Sequence, residues 1–117
     1  MKAVITAKAR HDLFIILATS RSRFGREGER RYRLLLEQAV ADVAAHPHRR
    51  GVLRPLGGAG DICVYHSRRS AAQGTKDLRV GRPRHVLVFR VRGQTVEILR
   101  FLHDAMDLPR HFGDSLA

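Results

Sequence analysis

Apolar positions in the first third of the chain recur with a helical period. Ala9, Leu13, Ile16, Leu17 and Phe24 fall on one face of a helix. Thr6 stands ahead of them, with a hydroxyl that can accept from an orphan backbone N–H of the first turn. Gly25 follows and ends the run by adopting a left-handed conformation that other residues resist. This predicts a first helix over about 7–24. Tyr32, Leu35, Leu36, Ala39, Val40 and Val43 make a second stripe and predict a helix over about 27–45. Glu27 and Glu29 lie in its first turn, where negative charge complements the helix dipole. Pro47 stops it, because the residue before a proline is pushed out of the helical region. The short connection at Gly25 makes the two helices an antiparallel hairpin. Ahead of them, Lys2–Ile5 reads as a short edge strand.

The period then shortens. Arg50–Gly60 holds Gly51, Pro55, Gly57, Gly58 and Gly60 and reads as loop. Ile62–His66 reads as a strand. Ser67–Arg84 is polar, basic and punctuated by Gly74, Gly81 and Pro83, so it reads as a long loop. Arg84–Val91 and Thr95–His103 are rich in β-branched and aromatic residues, and Arg92-Gly93-Gln94 between them predicts a β-hairpin. Asp107 can cap a brief terminal helix, with Pro109 placed early in it. The order β-α-α-β-β-β implies an α+β fold, with the helical hairpin packed on one face of a small antiparallel sheet. A length of 117 residues suits one domain, 1–117, around a single core.

Charge narrows the partners. Lys and Arg number 22 against 11 Asp and Glu, a formal net charge of +11, which points to an anionic partner: nucleic acid, a membrane surface or an acidic protein. The longest apolar run, Leu13–Ala18, is far shorter than the ~20 residues that span a bilayer. No small-residue cleavage site follows it, so a soluble, cytoplasmic protein is expected. Cys63 is the sole cysteine, which excludes an internal disulfide and places a small core residue on a strand. The 7 histidines show no pair at the helical i, i+4 spacing of a zinc site, so no metal and no cofactor are expected. Gly57, Gly58 and Gly60 lack the Gly-Lys-Ser/Thr that would make a phosphate loop.

The stretch Val96-Glu97-Ile98-Leu99-Arg100-Phe101-Leu102-His103-Asp104-Ala105-Met106-Asp107-Leu108-Pro109-Arg110-His111 resembles the C-terminal signature of ParE-like toxins. That signature is an apolar strand, Arg, an apolar pair, His, a small loop, Met-Asp and a closing Arg-His. Arg84–Val91 looks like the preceding strand of the same family. Ala9-Arg10-His11-Asp12-Leu13 is similar to its first helix, and Phe24-Gly25, Tyr32 and His46-Pro47 follow its helix-hairpin spacing. Asp61–Arg84 is longer than in the shortest members and matches a subgroup with a Tyr-His strand and a basic loop, here Tyr65-His66-Ser67-Arg68-Arg69-Ser70.

The resemblance implies the toxin of a type II toxin–antitoxin pair, in the RelE/ParE superfamily. Such a toxin is neutralised in a hetero-oligomer by a ParD-like antitoxin, with operator DNA reached only through the antitoxin. Its ParE-like members poison DNA gyrase. RelE-like cousins share the fold and cut mRNA on the ribosome. The expected target-binding residues are Arg90, Arg100, His103, Met106, Asp107 and Arg110. The expected antitoxin-binding residues are Leu13, Leu17, Tyr32, Arg68 and Arg69.

Metal-free RNA cleavage would need a base for the 2′-hydroxyl, cations for the phosphorane and an acid for the leaving oxygen. His103, Arg100 and Arg90 are the candidates, with His85 and His66 beside them. Against that, Arg100 can simply pair with an acid such as Glu97, and His103 can hold the turn that follows its strand. The basic stretch with Arg68, Arg69, Lys76, Arg79, Arg82 and Arg84 can contact phosphates or receive an acidic antitoxin segment.

Overall fold

The computed structural model describes residues 1–53, 61–71 and 82–105. The elements are β1 (Lys2–Ile5), α1 (Ala7–Ala45), β2 (Cys63–His66), α2 (Arg68–Ala71), β3 (His85–Arg92) and β4 (Thr95–His103). As the apolar pattern predicts, helices precede a meander of strands in an α+β fold.

α1 is one helical stretch only by hydrogen-bond bookkeeping. Gly25 inside it has φ 74° and ψ −173°, a region open essentially to glycine alone. A straight helix of 39 residues would run about 58 Å, longer than the 39 Å greatest extent of the molecule. Ala9 near one end and Val43 near the other lie in the same core cluster. The chain therefore folds back at Gly25 into two arms, the expected helical hairpin. Thr6 caps it at the start: its Oγ1 accepts from the Ala9 N–H at 3.2 Å. At the hairpin bend, Glu27 receives both Arg30 and Arg31, and those guanidiniums hold its carboxyl down to about 2.

The four strands form one sheet in the order β1-β4-β3-β2. β2–β3 and β3–β4 are antiparallel, but β1 runs parallel to β4, so the sheet is mixed rather than purely antiparallel. Direction leaves no mark on the side-chain pattern of a four-residue strand. It is set by the helical hairpin, which carries the chain from β1 across to the far edge at β2. β1 is an edge strand, as expected. Gly93, at φ 58°, opens the two-residue turn between β3 and β4.

The register of β3 and β4 shifts by one residue: Val88 faces Arg100, whereas Phe89 faces Ile98. Leu99 is the extra residue, a β-bulge. The bulge explains a burial pattern that strict alternation does not. Val96, Ile98 and then Phe101 pack in the cluster under the helices with Leu35, Leu36, Tyr65 and Phe89. Leu99 and Leu102 instead join Ile62, Val64, Val86 and Val88 in a second cluster. Cys63 is a buried core residue at 3% exposure.

Two expectations about loops change. The stretch beginning at Ser67 is not loop throughout, because 68–71 close a turn of helix around the buried Ser67 and Ser70. Leu53 pairs with Val64 across an isolated antiparallel bridge. The glycine-rich 54–60, the basic 72–81 and the expected terminal helix after Asp107 lie outside the described residues. Among the described residues no helix is long and apolar enough to cross a membrane.

Candidate functional site

The strand ends gather the chemistry. His66 ends β2, His85 begins β3 and His103 ends β4, directly opposite His85 in the register. The His85 and His103 rings meet edge-on with centroids 5.4 Å apart. Tyr32, from the second arm of α1, meets His85 from the other side. Asp104 and Arg84, one residue beyond β4 and one before β3, complete the group.

Hydrogen bonds assign the ring protons of His66 and His103. The Arg84 backbone N–H donates to the Tyr32 phenol oxygen at 3.2 Å, and the same hydroxyl is hydrogen-bonded to His85 Nδ1, 2.5 Å away. The Ala105 N–H donates to His103 Nδ1 at 3.0 Å. The Arg68 N–H donates to His66 Nδ1 at 3.1 Å, and His66 Nε2–H donates to Asp104 Oδ2 at 2.9 Å. In the neutral rings, His66 Nδ1 and His103 Nδ1 are thus acceptors already in use and the proton sits on Nε2. Burial, then the charge of neighbouring His103, pushes His85 down to about 4. Burial also raises the Tyr32 phenol. Burial alone would raise the Asp104 carboxyl, but His66, Arg84 and His103 together hold it below its ordinary value.

A groove of about 850 Å³ opens beside this cluster, between the first arm of α1, the helical bend and the end of the sheet. Its lining includes Ile15, Ile16, Phe24, Phe101 and Leu102 together with Arg23, Arg31, Arg82, Arg84, His85, Arg100 and His103. Among the described residues Asp12 is the one carboxylate of the lining, and it is closed on Arg100 at 2.7 and 3.0 Å. That pairing raises the already high pKa of the guanidinium.

The sequence candidates separate. Arg100 and His103 share the groove, with His85 beside them and His66 behind Asp104. Arg90 does not line it: Arg90 sits opposite Glu97 in the register and bonds it at 2.8 Å, with Arg92 on the same carboxylate at 3.2 Å. Met106, Asp107 and Arg110 lie outside the described residues. Leu13 and Leu17 pack partly buried against the core, and Tyr32 is 8% exposed. The first helical arm presents Phe14 and Ile15 to solvent instead. Arg68 and Arg69 are exposed on α2, with the Arg69 side chain lying over Gly51. Sequence reading missed Asp12 and Asp104. Their signal was weak: Asp12 follows Arg10-His11 and Asp104 follows His103 with no motif that marks either, and only the fold brings each to a strand edge. Among the described residues no group of three or more His, Cys, Asp or Glu is placed to hold a metal ion.

Fold and site together define a small basic α+β domain whose groove joins apolar walls to a cationic rim. The chain belongs to the ParE toxin family of type II toxin–antitoxin systems, whose family model matches residues 3–108. It is accordingly a type II toxin, and such a system includes a cognate antitoxin. Comparison with curated proteins gives no match.

Proposed function

We propose that this toxin arrests growth by binding DNA gyrase and blocking replication, without a catalytic site of its own, and that a ParD-like antitoxin silences it by direct contact. One observation carries the preference for binding over cleavage. The candidate nuclease groups are engaged within the chain: Arg90 with Glu97, Arg100 with Asp12, and His103 Nδ1 with the Ala105 N–H. A ring whose Nδ1 is tied up as an acceptor offers a proton donor at Nε2, not the base that ribose activation requires. Arg100, His103 and the Met106-Asp107-Arg110 segment are the proposed contacts with the target.

The test combines purified toxin, gyrase and supercoiled plasmid. The expected result is loss of supercoiling with trapped cleaved DNA, relieved by the cognate antitoxin. In parallel, ribosomes programmed with mRNA are probed by primer extension. Undiminished supercoiling together with toxin-dependent mRNA cuts would replace this reading by the endonuclease one.

A further inference from the structure

We propose that the groove holds a single strand of DNA, with phosphates on its arginines and a base against Phe24, and that in the trapped gyrase complex this strand belongs to the opened DNA. The second part rests on the gyrase reading above, and the first stands without it. Charge is the first support. Arg23, Arg31, Arg82 and Arg84 line the groove, and Asp12, the one carboxylate among its described lining residues, is closed on Arg100. Arg31 shares Glu27 with Arg30, and Arg84 shares Asp104 with His66. Arg23 and Arg82 are exposed and, among the described residues, bonded to no carboxylate. These cations extend from the helical bend to the start of β3, so an extended phosphate backbone meets them in turn.

The second support is aromatic. Phe24, Tyr32, Phe101, His85 and His103 all line the groove. Tyr32 and Phe101 are buried, but Phe24 is 70% exposed and stands beside Arg23. A Cβ on Gly28 would collide with the Phe24 side chain, so the glycine makes the room that this ring occupies. An exposed ring next to a cation suits a single strand, because every base has a face to stack and a phosphate beside it. A duplex keeps its base faces inside and would leave Phe24 and Ile15 uncovered. At the other end of the groove, His103 Nδ1 accepts from the Ala105 N–H, so its ring keeps an N–H donor at Nε2. Arg84 binds Asp104 through Nε, which leaves the outer nitrogens of its half-exposed guanidinium for a phosphate.

The full-length toxin is titrated into a fluorescein-labelled DNA single strand of about twelve nucleotides, followed by anisotropy at several salt concentrations. Wild type is expected to bind, with log affinity falling against log salt at a slope of about −2 to −3, as for three or four phosphates. A duplex of the same sequence should bind at least about fivefold more weakly. Phe24→Leu should cost about tenfold with the salt slope unchanged, and Phe24→Tyr should keep most of the affinity. Arg23→Gln and Arg84→Gln should each weaken binding and take about 0.7 off the slope. Arg92→Gln removes the same charge at the β3–β4 turn, away from the groove, and should stay within about twofold of wild type. Circular dichroism establishes that each variant is folded. With p-benzoylphenylalanine in place of Phe24, irradiation of the trapped gyrase complex should join toxin to DNA.

Phe24→Leu that binds as wild type overturns the groove assignment, as does Arg92→Gln that loses as much as Arg23→Gln, because net charge alone would then hold the strand. RNA of the same sequence that binds at least about tenfold more tightly than the DNA assigns the groove to RNA and overturns the proposal. Poly-glutamate of matched charge that binds more tightly than the DNA overturns it in favour of an acidic protein. Toxin that traps gyrase but crosslinks from position 24 to gyrase protein alone overturns the DNA contact and leaves the functional reading standing. Toxin that binds the strand as described and leaves supercoiling undiminished overturns the functional reading and leaves the groove assignment standing.

Discussion

Asp12 and Arg100 stand 88 residues apart and close on each other through two hydrogen bonds of 2.7 and 3.0 Å. The same carboxylate accepts the Phe101 backbone N–H at 3.0 Å. β1 ends at Ile5, opposite Ile98, whereas β4 continues to His103. Side chains from the first helical arm finish the sheet edge that β1 leaves open. The Thr6 hydroxyl donates to the Leu99 carbonyl at 3.1 Å, and Asp12 takes the next free amide.

This double duty sets an order of costs. Asp12→Ala strands both a part-buried guanidinium and a backbone N–H, and should destabilise by about 2–3 kcal/mol. Arg100→Ala leaves Asp12 its amide partner and should cost about 1–2 kcal/mol. Urea unfolding of the two single variants and the double variant measures both costs and their coupling. Equal single costs, or additive ones, would show that the carboxylate does not join helix to strand in this way.

Gly25 offers a test without side-chain contacts. A Cβ built there meets nothing within 4 Å, so any penalty is in the backbone, at φ 74°. Gly25→Ala should cost about 1–3 kcal/mol. Asparagine should give little relief, since ψ of −173° lies outside the left-handed helical well that asparagine tolerates. The readout is the urea midpoint at unchanged slope. A neutral Gly25→Ala would mean that the two arms join through a different backbone path.

Much of this fold was legible in the sequence because its signals are local. Thr6, Gly25 and Gly93 mark a cap, a fold-back and a turn through their own chemistry, and the two helical stripes needed no partner to be seen. The parallel pairing of β1 with β4 was not legible, because Lys2↔Thr95 and Ile5↔Ile98 are contacts across nearly the whole chain. The bulge at Leu99 hid the inward side of β4: Arg100 looked like a solvent-facing strand residue next to Glu97, yet it turns to Asp12. In the site, His66, His85 and His103 could be named together as candidates at strand ends, but not the contacts that join them. That they meet depends on the β3–β4 register and on Tyr32 arriving from the helical hairpin.

The α2 turn is anchored by a polar network rather than by apolar burial. Ser70 is fully buried. Its hydroxyl donates to Asp42 Oδ2 at 2.6 Å and bonds the Tyr65 hydroxyl at 2.9 Å. Gln38 donates to the other Asp42 oxygen at 2.8 Å. Ser70→Ala would leave a buried phenol and a largely covered carboxylate each short of a partner, for a cost of about 2 kcal/mol. Amide hydrogen exchange around Arg68 and Arg69 should quicken more than exchange in β3. Uniform quickening across the sheet would count against a local anchor.

His85 ties stability to pH with a definite sign. Burial and the neighbouring His103 charge move it from 6.5 to about 4 in the folded chain. Between those values the unfolded chain holds a proton that folded His85 refuses. The unfolded state binds more protons there, so stability falls as pH drops through the window. Asp104, held below its ordinary 3.8, acts with the same sign at lower pH: its contribution is present above that value and lost as pH falls through the folded one. Thermal unfolding from neutral pH downward should show Tm decreasing across the window. His85→Gln keeps a hydrogen-bonding group beside the Tyr32 phenol but does not titrate, so its profile should be flatter. Proton NMR of the imidazole rings supplies the direct check: His85 should titrate well below an ordinary histidine. A His85 midpoint near 6.5, or a wild-type Tm that holds steady down to pH 4 while His85→Gln behaves identically, would show that this ring is not buried against a charged neighbour as described.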